Sequence, residues 1–183
     1  MHAEIDAAGP SEPDAQTVER LAERLAPLLA PATAIVCVGS ELRGDDGAGP
    51  AVARQLADSV PWAVYDTRNA PENFLMKIVG AKPESIIVID ALDFGAAPGT
   101  VRVFAPDDLT GQGPSTHGPA PLAFLDLLHT MHPCRRAVVG IQPAATDTGQ
   151  PLTPPVRRAV NLIASAFRHL APSPPSSPPS CPP

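Results

Sequence analysis

The stretch Val38-Gly39-Ser40-Glu41-Leu42-Arg43-Gly44-Asp45-Asp46-Gly47-Ala48-Gly49-Pro50 decides the fold of this chain. Ahead of it, Ala34 to Val38 is a short apolar run rich in β-branched residues, as in a buried strand. Behind it, Val52, Leu56 and the surrounding alanines read as a helix, with Pro50 tolerated in its first turn. The stretch is therefore a strand-to-helix loop of an α/β unit. Its glycines permit tight and left-handed turns. A phosphate cradle would use the same glycines, but it would not set Glu41, Asp45 and Asp46 against an anion. Carboxylates at the mouth of an α/β sheet suit a cation.

Working outward, Asp14 is a plausible N-cap, and Val18, Leu21, Leu25 and Leu28 recur at helical spacing through about Ala30. Trp62 to Asp66 is a second strand. Thr67 to Asn73 turns into a short helix ending near Val79. Ser85-Ile86-Ile87-Val88-Ile89-Asp90 is the strongest strand, continuously apolar as when helices cover both faces. After the loop Asp93 to Gly99, Thr100 to Ala105 alternates. Its short connection predicts a strand antiparallel to its predecessor, in a hairpin-like pair. A helix carries Leu122, Leu125 and Leu128. Arg136 to Ile141 is the last strand, and Thr153 is expected to cap the last helix, whose stripe is Val156, Val160, Ile163, Phe167 and Leu170. These elements predict a three-layer α/β/α fold on a five-stranded, mostly parallel sheet. Residues 1–13 are expected to be a flexible leader. Residues 14–170 form a single domain, with 14–30 an additional N-terminal helix. Residues 171–183, almost all Pro and Ser, form a tail expected to be disordered.

A formal charge of −6 argues against binding nucleic acid or an anionic membrane. No run reaches the roughly 18 apolar residues of a membrane span. The N-terminus lacks the basic-then-apolar pattern of a secretory signal. Cys37, Cys134 and Cys181 are odd in number and far apart, so no disulfide framework is expected and a reducing cytoplasm is the natural compartment.

Asp45 and Asp46 are either solvated helix-start acids, stabilised by the macrodipole, or ligands. Spacing alone leaves both open. Asp90 closes an apolar strand, where an acid caps a turn or faces the crevice at the strands' carboxyl ends. In the second case Asp46 and Asp90 face each other. His117, in Ser115-Thr116-His117-Gly118 before a helix, would complete a mixed oxygen and nitrogen set for a divalent transition metal with open positions. His2, His129, His132 and His169 are assigned structural roles. No G-x-S-x-G elbow, H-E-x-x-H, P-loop or complete G-x-G-x-x-G follows the first strand. Cys37, inside a strand, is expected to be unreactive.

Val38-Gly39-Ser40 through Gly44-Asp45-Asp46-Gly47-Ala48-Gly49 resembles the signature of the hydrogenase maturation endopeptidases, which process the large subunit of [NiFe] hydrogenases. Ala70-Pro71-Glu72-Asn73, Ile87 to Asp93, Pro98-Gly99 with Val101-Arg102-Val103, Ser115-Thr116-His117 and Gly140-Ile141-Gln142-Pro143 follow in the same order. The match spans about residues 34–170, and the Pro-Glu-Asn and Gly-Ile-Gln-Pro segments look most like the branch serving hydrogenase 3 of formate hydrogenlyase. Ser40 stands where the family usually has Asn, and Thr67-Arg68 where it often has Gly-Gly.

The resemblance implies a helix-flanked twisted sheet with one antiparallel strand. It also implies a metal site of Asp46, Asp90 and His117, with nickel carried by the substrate. Zinc or cadmium would be expected to substitute in vitro. The implied partner is a [NiFe] hydrogenase large-subunit precursor, which loses a short C-terminal extension; the enzyme itself is expected to be a monomer. Asp45 and Asp93 are candidates to orient the ligands from behind. The competing expectations are a nickel-sensing docking module that does not cut and, more remotely, a metal-dependent hydrolase of small substrates.

Overall fold

The structure is a computed structural model describing residues 4–5, 13–109 and 120–172. Strands β1 (Thr33–Val38), β2 (Ala63–Arg68), β3 (Ser85–Ala91), β4 (Val101–Phe104) and β5 (Arg135–Ile141) form one sheet in the order β2-β1-β3-β5-β4. All neighbours are parallel except β4 and β5. Every residue of β1 and β3 is buried, which is why both read as continuous apolar runs rather than alternating ones.

Helices α1 (Ala15–Leu25), α2 (Ala48–Leu56) and α5 (Pro154–Leu170) share a core with Ile35, Cys37, Ile87 and Ile89. On the opposite face, α3 (Leu75–Gly80) and α4 (Ala120–Met131) share one with Val36, Val38, Ile86 and Val88. The two-residue period of the strands deals alternate side chains to the two layers. Asp14 caps α1 as its sequence suggests, accepting the Thr17 N–H at 2.8 Å.

Two expectations need correction. β4 runs antiparallel, but its partner is β5, because β3 already has β1 on one side and β5 on the other. β2 extends two residues beyond Asp66, through a register shift that sets Arg68 opposite Val38. Within the leader segment, Ile5 exchanges two backbone hydrogen bonds of 2.9 Å with Val101 and is 2 % exposed, so it covers the outer edge of β4. Cys181 and the tail from residue 173 lie outside the described residues.

Candidate active site

Two glycines let the acidic loop close over the strand ends. Gly39 has φ +131°, and a Cβ there would lie 1.9 Å from the Asp46 carbonyl oxygen. A Cβ on Gly49 would lie 2.1 Å from the Val38 carbonyl and 2.9 Å from that of Ile89. The first turn of α2 therefore sits directly on β1 and β3, and the loop residues Gly44–Gly47 form a buried 3₁₀ turn over the strand ends.

Asp46 is buried, and its Oδ2 accepts the Ser40 N–H at 3.0 Å. Asp90, at the end of β3, is also buried. Its Oδ1 accepts the Ala91 N–H at 2.8 Å, and its Oδ2 has no hydrogen-bond partner among the described residues. Burial, and after it the negative charge of Asp46, holds the Asp90 carboxyl well above the usual carboxylate range. Asp46 and Asp90 are thus both buried, and the charge of one bears on the other. Two carboxylates in an apolar crevice disfavour ionising together, and a divalent cation removes that conflict. An unpartnered carboxylate oxygen fits such an ion. His117 lies outside the described residues, as does the rest of 110–119.

Asp45 points elsewhere. Its Oδ2 accepts from Ala144 N (2.8 Å), Ala145 N (3.1 Å) and Thr153 Oγ1 (2.9 Å), and its Oδ1 from Thr153 N (2.6 Å). Its own N–H donates to the Ala145 carbonyl at 2.9 Å, and Gly44 N donates to Gln150 O at 3.2 Å. Asp45 staples the acidic loop to the β5–α5 connection. Thr153 occupies the cap position of α5 and makes no side-chain cap bond; its hydroxyl donates to Asp45.

Asp93 is exposed and accepts from Gln142 Nε2 at 3.0 Å and Gly95 N at 3.2 Å. Those bonds, that from Gln142 first, hold its carboxyl below the usual range. Gln142, just past β5, also accepts the N–H groups of Phe94 (2.9 Å) and Ala96 (3.2 Å) through Oε1. One side chain thus pins the loop that follows Asp90. Sequence reasoning quoted Gln142 within a motif but gave it no task. The available signal was a polar residue closing an apolar strand, as for Asp90. Gln142→Ala leaves two amide donors without their acceptor. It is expected to destabilise the fold by about 1–3 kcal/mol and to speed hydrogen exchange at Phe94 and Ala96. Unchanged exchange there would remove the pinning role.

Of the residues given structural roles, His2 lies outside the described residues. His132 hydrogen-bonds the Pro83 carbonyl at 2.8 Å, and burial pushes the Cys37 thiol far up, out of the nucleophile range.

Residues 50–168 match the family described as hydrogenase maturation protease. The chain is 34% identical over 131 residues to the hydrogenase 3 maturation protease of Escherichia coli K12, covering 70% of this chain and 84% of that protein. A crystal structure of a hydrogenase 3 maturation protease is similar at 30% identity with a TM-score of 0.68, covering 78% of this chain and 94% of that one. The fold is shared with the [NiFe] hydrogenase maturation protease HycI of Thermococcus kodakarensis at a TM-score of 0.74 and 22% identity, over 82% and 97% of the two chains.

Proposed function

The chain belongs to the hydrogenase maturation protease family, and from that premise we propose that it removes the C-terminal extension of a [NiFe] hydrogenase large-subunit precursor once nickel is in place. It is a site-specific endopeptidase of hydrogenase precursors. The proposal adds the checkpoint and the residues that read it. The observation that carries it is the buried pair Asp46 and Asp90 at the strands' carboxyl ends, with Asp90 Oδ2 unpartnered among the described residues.

Asp46 and Asp90 present carboxylate oxygens to the nickel that arrives with the substrate. His117 is the proposed third contact. Its support is its tether: α4 starts at Ala120 and leads into β5, which is parallel to β3, so the start of α4 stands at the carboxyl end of the sheet. Asp90 also points to the layer that contains α4, since the flanking Val88 packs there and side chains alternate. A divalent ion held between these groups would polarise the scissile carbonyl and activate water. The chain's own task is to hold the ion and the peptide together and to exclude bulk water with the apolar residues around the pair. An ionised carboxylate of the pair is also suited to accept a proton from the attacking water. Requiring nickel withholds a complete site from unloaded precursor.

The test is a cleavage assay on nickel-loaded and nickel-free precursor, read by mass spectrometry of the large subunit. Shortening of the loaded form alone is expected. Equal shortening of both removes the checkpoint, and shortening of neither removes the proposed substrate. Among the described residues no helix is long and apolar enough to cross a membrane.

A further inference from the structure

Arg68 has φ +54°, a left-handed conformation that a side chain with a Cβ adopts only at a cost. It stands just after the point where the β1–β2 register shifts, so that Cys37 faces Asp66 and Val38 faces Arg68. Thr67, the residue passed over, donates its hydroxyl to the Cys37 carbonyl at 3.0 Å. The result is that the Arg68 carbonyl accepts the Gly39 N–H at 2.8 Å, at the first residue of the acidic loop. The same residue's guanidinium then reaches Glu41, with Nη1 2.6 Å from Oε2. Arg54 holds the other oxygen of Glu41 at 2.6 Å, and Asp66 holds Arg68 Nε at 3.0 Å.

Arg68 therefore grips both ends of Gly39-Ser40-Glu41. The middle residue supplies the N–H that fixes Asp46 Oδ2. The backbone of Glu41 also lies against Gly47, where a Cβ would come within 3.1 Å of Glu41 Cα. A shift of Glu41 is thus passed to the residues on either side of Asp46. We propose that Arg68 is a positioning residue, fixing the Gly39–Glu41 segment and through the Ser40 N–H the carboxylate of Asp46. The inference rests on the role given to Asp46 above. Arg68 and Glu41 are exposed, so their ion pair adds little to stability; what it supplies is geometry.

Arg68 and Glu41 also line a groove of about 470 Å³ between α2 and β2, where a role in docking the precursor would raise KM. The experiment measures kcat and KM on nickel-loaded precursor, together with unfolding midpoints, for Arg68→Gly, Glu41→Gln, their double variant, Arg68→Lys and Asp46→Asn. Glycine adopts the left-handed conformation freely, so Arg68→Gly keeps the backbone bond to Gly39 and loses only the guanidinium.

The expected result is a fall in kcat of about 5- to 20-fold in Arg68→Gly with KM within about two-fold and an unfolding midpoint no lower than wild type. Glu41→Gln shows a similar loss, the double variant is no worse than either single one, and Arg68→Lys recovers part of the rate. Wild-type kcat in Arg68→Gly, or a loss confined to KM, overturns the proposal. Full activity in Asp46→Asn overturns the role of Asp46 and the inference with it. Loss in Asp46→Asn beside full activity in Arg68→Gly overturns the inference alone.

Discussion

Asp90→Asn is expected to abolish processing while making the folded protein more stable. Asn keeps the shape of the side chain and the Oδ1 acceptor for the Ala91 N–H, but it removes the negative charge offered to the incoming nickel. Cleavage of loaded precursor should fall by at least about 100-fold. Stability moves the other way because the Asp90 carboxyl is held above its ordinary range by burial and by Asp46. A carboxyl whose folded pKa exceeds its unfolded value binds more protons in the folded state. Its contribution is therefore most favourable at low pH, and it is lost as pH rises from the unfolded value, about 3.9, through the folded one. The variant has no such loss. The stability difference should be near zero at the acid end and grow in the variant's favour as pH rises towards neutrality. Urea unfolding across pH measures it. A variant that is inactive and less stable at neutral pH would mean that Asp90 is held by contacts of its charged form. An active variant would remove it from the site.

Asp45→Ala should have the opposite signature, a large loss of stability. The wild-type carboxylate receives four donors from Ala144, Ala145 and Thr153 at 2.6–3.1 Å and is itself buried. Hydrogen bonds to a charged acceptor are the strong ones, and truncation leaves donors on two backbone segments without acceptors. The expected cost is about 3–5 kcal/mol, reduced to the extent that water enters. Because Asp45 is the staple between the acidic loop and the β5–α5 connection, hydrogen exchange should rise on both sides of it, at Gly44 to Asp46 and at Ala144 to Thr153. Processing should fall with the folded population, and recover when the precursor is assayed at lower temperature. A loss below about 1 kcal/mol would show that the staple is replaceable. Two adjacent acids of one loop thus separate: Asp45 holds the loop to the β5–α5 connection, and Asp46, bonded to the Ser40 N–H, is the one proposed to contact nickel.

That division was not legible from composition or spacing. Asp45 and Asp46 are the same residue type, side by side, and both fit a helix-start acid. What distinguishes them is a 3₁₀ turn that aims one carboxylate at backbone donors about a hundred residues downstream and leaves the other on the Ser40 N–H within the loop, where its charge bears on Asp90. Long-range pairing of this kind leaves no local signal. Thr153 shows the same limit. Its place before a proline-started helix suggests a cap, yet its side chain makes no cap bond and its hydroxyl donates to Asp45. Arg68 is a third case, since a left-handed φ at a non-glycine residue is set by the strand pairing around it rather than by its own preference.

The sequence by itself determined the layers. The continuous apolar runs of β1 and β3 required cover on both faces, and the stripes of α1 and α5 provided it on one of them. It also determined the parallel frame, the position of the acidic loop at a strand-to-helix turn, and the carboxyl ends of the strands as the place of Asp46 and Asp90. All of these follow from periodicity and chain direction, which are local. The tertiary structure alone settles which edge β4 joins, that Ile5 covers it, that Asp45 is stapled by distant donors, and that Asp90 Oδ2 has no hydrogen-bond partner among the described residues. Those outcomes depend on which backbone donors are already satisfied when the layers close. That accounting is settled by the whole fold, not by any one stretch.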